Sequence, residues 1–157
     1  MPEQRTLERA RRDAREGKAP STQAGEFVRE EMEHIREGKH GARSAKQAIA
    51  IGLSKARRAG VKLPAPKAGQ ASVRTRKQAK RDVRRGRSAS SGARSSKRSR
   101  ATLRALKKEG RSAASHRALA RQAKSAARKR THAERSRQAK RAAHTRRAKR
   151  ASRGGSR

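Results

Sequence analysis

The chain of 157 residues has no cysteine, no tryptophan and no tyrosine. Without cysteine there are no disulfides, thiolate metal sites or cysteine nucleophiles, which suits a reducing, cytoplasmic setting. Phe27 is the one phenylalanine, so the aromatic platforms that single-strand binders use for base stacking are missing, and only Arg planes could substitute. The longest apolar run, Ala48–Leu53, is broken by Gly52. It supplies neither a secretory hydrophobic region nor a membrane span, so no membrane partner is expected. Four acids by residue 16 also argue against a transit peptide. Proline is absent beyond Pro66, and acid is scarce beyond Glu37, where only Asp82, Glu109 and Glu134 remain.

What is present is positive charge, unevenly distributed. Residues 1–66 carry 15 Lys and Arg against nine acids, and residues 67–157 carry 33 against three, which divides the net +36 into +6 and +30. Large apolar residues follow the opposite trend. Eleven lie in the first part, and only Val73, Val83, Leu103, Leu106 and Leu119 in the second. High charge with so little to bury does not offset the roughly 1–2 kcal/mol per residue of backbone ordering. The organisation expected is therefore a small helical domain over residues 1–66 and a basic low-complexity tail over 67–157.

Within the first part, Arg5–Glu16 reads as a marginal, solvated helix ending at Gly17, with Leu7 as its only sizeable apolar residue. Ser21 and Thr22 are placed to cap a second helix, in which Ala24, Phe27, Val28, Met32 and Ile35 form an apolar face that stops at Gly38. Ser44 and Gln47 have capping-box spacing for a third, whose face of Ala45, Ala48, Ile49, Gly52, Leu53 and Ala56 is small enough for close packing. Gly60 suits a left-handed cap, and Pro64 and Pro66 prevent continuation. The fold expected is mostly α: a small αα-hairpin over about residues 22–60, followed by an arm that is disordered or transiently helical. In the arm, Ser72 or Thr75 could cap a helix ending near Gly86. The phrase [KR]QAK recurs at Lys77–Lys80, Arg121–Lys124 and Arg137–Lys140 at unequal spacing, which is biased composition rather than a solenoid.

Catalytic and metal chemistry find little support. The five histidines (His34, His40, His116, His132 and His144) have no metal-ligand spacing and read as solvated. Glu30, Glu31 and Glu33 read as a solvent-facing stripe in which Arg29 and Glu33 pair. No enzyme, cofactor or metal is expected. The arm carries the functional signal, because 30 net charges match about 15 base pairs of duplex phosphate. The phosphate-contacting candidates are Arg74, Arg76, Lys77, Lys80, Arg81, Arg84, Arg85, Arg87, Lys97, Arg98, Arg100, Lys124, Arg128, Lys129, Arg130, Lys140, Arg141, Arg146, Arg147, Lys149 and Arg150. Arg85-Gly86-Arg87 has the core of a minor-groove hook, but Ser88 stands where that motif has proline. Serines in the run Arg87–Arg100 are candidate phosphorylation sites.

The stretch Glu26–Pro64, and within it KQAIAIGLSKAR at Lys46–Arg57, resembles a bacterial family of small basic proteins of unknown function, often labelled histone-like or DNA-binding. The resemblance implies a short helical domain with a basic tail in a cytosolic bacterial protein, and no catalytic residues. The leading expectation is non-sequence-specific binding and compaction of double-stranded DNA by a histone-like, nucleoid-associated protein, with duplex DNA preferred over RNA. Residues 22–60 would then offer Phe27, Val28, Met32, Ile35, Ile49 and Leu53 to a second copy or a protein partner. Two alternatives stand beside it. One is an RNA- or ribosome-associated basic protein, and the other an interaction hairpin with a polyanion-tethering tail.

Overall fold

The computed structural model describes residues 2–88 and 95–154, with side chains as far as Arg147. Seven α-helices occupy the described residues: α1 (Gln4–Arg15), α2 (Pro20–Arg36), α3 (Ala45–Arg58), α4 (Val73–Arg87), α5 (Ser96–Lys107), α6 (His116–Arg128) and α7 (His132–Gly154), with a 3-10 turn at Ser112–Ala114. The chain divides into two compact units, Met1–Leu119 and Ala120–Arg157.

Each helix of the first three stops for a local reason. Gly60 takes φ 92° after α3, while Val61 N–H donates to the Ala56 carbonyl and Gly60 N–H to that of Arg57. That pattern of a left-handed glycine with crossed end bonds satisfies carbonyls the helix leaves open. Gly17 and Gly38 close α1 and α2 in the same way. The start of α3 also follows the sequence: Ser44 Oγ accepts from Gln47 N–H, and the Gln47 side chain accepts from Arg43 N–H. The start of α2 does not. Its cap is Ala19, which makes no side-chain bond, and Pro20 opens the helix, where its missing N–H and preset φ carry no penalty.

In the first unit α2 and α3 run antiparallel, since Ile35 clusters with Ala48 while Ala24 and Phe27 cluster with Ala56. They approach tightly at Gly52, where a Cβ would stand 2.7 Å from Val28 Cα. Two apolar clusters result. Ala10, Ala24, Phe27 and Ala56 form one, flanked by Leu7, Leu53, Val61 and Leu63. Met32, Ile35, Ala42, Ala48, Ala113 and Ala114 form the other, flanked by Val28, Ile49 and Leu119.

These clusters correct the expectation of a small isolated hairpin. Helix α1 is not a solvated adjunct: Thr6, Ala10 and Asp13 are buried, and Leu7 joins the Phe27 cluster. From beyond Pro66, Ala113 and Ala114 complete the second cluster, and the Ala114 carbonyl accepts from Arg36 Nε. The α2–α3 loop is covered as well. Gly41 N–H donates to the Leu106 carbonyl and Ala42 N–H to that of Gly110, and a Cβ at Gly41 would run into the Glu109 backbone.

The expectation of a disordered or transiently helical arm is overturned too, since four of the seven helices lie beyond Pro66. Helix α4 docks on α3 through buried Ala79 and Asp82, and Asp82 accepts from the Ser54 hydroxyl and from Gln78 Nε2. Helices α5 and α6 have no fully buried residue, although Leu119 of α6 packs against the second cluster. Local chemistry supports them: Ala, Arg, Lys and Gln are strong helix formers, and each start has an oxygen cap. Ser72, Ser95 and Ser115 accept from the N–H three residues on. In the second unit, Thr131 and Glu134 form a reciprocal capping box for α7. Counting large apolar residues misjudged the arm because small side chains, hydroxyl caps and one carboxylate supply what those residues were expected to supply. No helix among the described residues is long and apolar enough to cross a membrane.

Candidate nucleic-acid interface and a buried carboxylate–histidine cluster

Helical ordering places most of the arm's described cations on helix surfaces. Of the described Lys and Arg from Lys67 to Arg147, only Arg76 is half-buried, and all the rest are exposed. Among the sequence-predicted contacts, Arg74, Lys77, Lys80, Arg81, Arg84, Arg85 and Arg87 lie on α4, Lys97, Arg98 and Arg100 on α5, and Lys124 and Arg128 on α6. Lys129 and Arg130 follow α6, while Lys140, Arg141, Arg146 and Arg147 lie on α7. Lys149 and Arg150 also fall within α7, with side chains outside the described residues, as are Ser90 and Ser91 of the candidate phosphorylation run. Arg121, Lys124, Ser125, Arg128 and Lys129 line one shallow concavity of the second unit. Arg85-Gly86-Arg87 is the last turn of α4, with Gly86 against the Arg57 carbonyl, and not an extended hook.

Charge pairing separates the two halves of the chain. Among the described residues, every Lys or Arg in an ion pair lies between Arg9 and Arg58. From Lys67 onward no described Lys or Arg has an acidic partner. The arm's three acids are all engaged in holding the structure: Asp82 beside Arg58 at 3.7 Å, Glu109 beside Arg43 at 3.5 Å, and Glu134 on the Thr131 N–H at 2.9 Å. The described cations of the arm therefore stand without internal neutralisation.

The residues read as an interaction face have a different location. Phe27, Met32 and Ile35 are buried, and Val28, Ile49 and Leu53 are half-buried and pack against the two clusters. Helix α1, Val61 and Leu63 cover one end and Ala113–Ala114 the other. This face is internal to the chain.

A polar cluster on α2 was not anticipated. Glu30 and Glu31 are not on a solvent stripe but only 2% and 1% exposed. Lys55 from α3 bridges them, with Nζ 3.2 Å from Glu30 Oε1 and 2.7 Å from Glu31 Oε2. Burial alone would push the Glu30 carboxyl up. The Thr6 hydroxyl, the Glu3 backbone N–H and Lys55 outweigh that and hold it below its ordinary value. His34 and His40 are not solvated either, with side chains 13% and 10% exposed. His34 Nε2 meets Glu3 Oε1 at 2.8 Å, and His40 Nε2 lies 3.2 Å from Glu31 Oε1. His34, then Lys39, keep the Glu3 carboxyl below its usual range. The signal for Glu31 was available in helical phase, since positions 27, 31 and 35 share one face, and Phe27 and Ile35 were already assigned inward.

No curated protein and no solved structure matches the chain. Residues 3–67, which carry α1, α2, α3 and the buried polar cluster but none of the four later helices, match the family of unknown function DUF6496.

Proposed function

We propose that this protein binds double-stranded DNA through the cations of α4 to α7 with little sequence preference, in the manner of a histone-like nucleoid protein, and that the N-terminal helices serve as its folded anchor. One observation carries the reading: the exposed Lys and Arg from Lys67 to Arg147 have no acidic partner among the described residues, while all three acids of that stretch are engaged structurally. An unneutralised cationic surface binds phosphate by releasing condensed counterions, a large and sequence-independent gain. Helical presentation favours B-form duplex as the polyanion. A major groove about 12 Å wide admits an α-helix, whereas the deep, narrow major groove of A-form RNA does not. The absence of Tyr and Trp argues against single-strand stacking.

The test is a salt titration of binding to a duplex of about 15 base pairs, with structured RNA as competitor. With 6–10 phosphate contacts, affinity falls by about 10³–10⁵ between 50 and 200 mM salt. Affinity indifferent to salt overturns the proposal, and tighter binding to the RNA at matched salt moves the protein to the RNA-associated class.

A further inference from the structure

We propose that Glu31, His34 and His40 form a binding site for one divalent cation of the zinc class. One ligand atom from each residue lies within 4.8 Å of those of the other two. A tetrahedral site with arms of about 2.1 Å has edges of roughly 3.4 Å, and the His40 Nε2 to Glu31 Oε1 separation is 3.2 Å. Two imidazoles and a carboxylate, with no sulfur, are the donor set of open zinc sites.

Two further observations point to a ligand rather than to a buried ion pair. The first is the state of Glu31. Its side chain is 1% exposed, yet neither carboxylate oxygen makes a hydrogen bond. Lys55 Nζ and His40 Nε2 are within ion-pairing distance of these oxygens but outside hydrogen-bond geometry. Ion pairing alone leaves this buried carboxylate without a hydrogen bond, which is costly at such depth, and a cation on the His40 side relieves it. The second is the orientation of the rings. His40 Nδ1 faces the Gly41 carbonyl at 3.1 Å, and His34 Nε2 faces Glu3 Oε1 at 2.8 Å. Placing one proton on His40 Nδ1 and one on His34 Nε2 leaves lone pairs on His34 Nδ1 and on His40 Nε2, the nitrogen beside Glu31 Oε1, which is how metal-ligating histidines are held. The Glu3, Glu30 and Glu31 carboxylates meet the ammonium groups of Lys39 and Lys55 here, so the cluster is locally anionic in a chain of net charge +36. Glu3 acts as a positioning residue for His34, and Lys55 holds the far oxygen of Glu31.

Zinc chloride is titrated into the full chain by calorimetry, with imidazole ¹⁵N spectra recorded on the same unmodified protein. The expected result is saturation at one equivalent, with the nitrogens of two of the five rings, His34 and His40, displaced. The double variant H34Q/H40Q is expected to lose this binding, Glu3→Gln to weaken it about tenfold, and a variant lacking His116, His132 and His144 to keep it. Failure of the folded chain to take up zinc saturably overturns the site. So does displacement confined to His116, His132 or His144, or binding that survives H34Q/H40Q. If that double variant does not fold, the ring spectra of the unmodified chain decide the question.

Discussion

Residues 9–58 and the described residues of 67–147 are both largely helical and both rich in arginine, yet they manage charge in opposite ways. In the first stretch cations meet carboxylates across helices, as Lys55 does with Glu30 and Glu31 and Arg9 does with Glu26. In the second, cations stand exposed on helices whose few acids are turned to capping and docking. Helix formation and charge neutralisation are separable: the arm has the first without the second. Order in the arm comes from propensity, caps and the packing of small side chains such as Ala79, Ala113 and Ala114, leaving its charge available.

The largest effect that would break this contrast is on binding. Replacing Arg128, Lys129, Arg130, Lys140, Arg141, Arg146 and Arg147 by Gln, which keeps helix propensity, is expected to lower duplex affinity by at least about 10²-fold at physiological salt and to flatten the salt slope by about 0.9 for each phosphate no longer neutralised. Fluorescence anisotropy against potassium chloride measures both. An unchanged slope would mean that these residues touch no phosphate.

Next is the joint between the regions. Asp82→Ala removes the acceptor for Ser54 and Gln78 and the neighbour of Arg58, and is expected to destabilise the docking of α4 by about 3 kcal/mol. Hydrogen exchange of α4 amides at the rate of an undocked helix, with α2 and α3 still protected, is the outcome expected. Global unfolding instead would make α4 part of the core rather than an addition to it.

Gly52→Val sharpens the account of the first region. The new side chain meets Val28 at the helix crossing and is expected to cost about 1–3 kcal/mol, read as a lower midpoint in chemical denaturation. The smallest effect is local. Thr131→Ala, which removes one half of the α7 cap, is expected to cost about 1 kcal/mol of helix stability, seen as reduced ellipticity with duplex binding retained.

How much of this could be read beforehand depends on how local each determinant is. The stops at Gly17, Gly38 and Gly60 and the Ser44–Gln47 start were legible because a cap is decided within about six residues. The burial of α1 was not, because Thr6, Ala10 and Asp13 look like surface residues until α2 lies against them. The order of the arm escaped for a related reason: Ala113 and Ala114 are indistinguishable from the surrounding alanines until Met32 and Ile35 receive them. For the buried cluster, Glu31 was visible in the phase of α2, but its company was not, since Lys55 and His40 reach it from another helix and a loop.

The three acids beyond Pro66 have one more implication. Exchanging Asp82, Glu109 or Glu134 for a neutral residue would raise the positive charge of the arm while loosening the contact that acid maintains. Evolution toward a still more basic arm through these positions is therefore limited by folding rather than by what the arm grips.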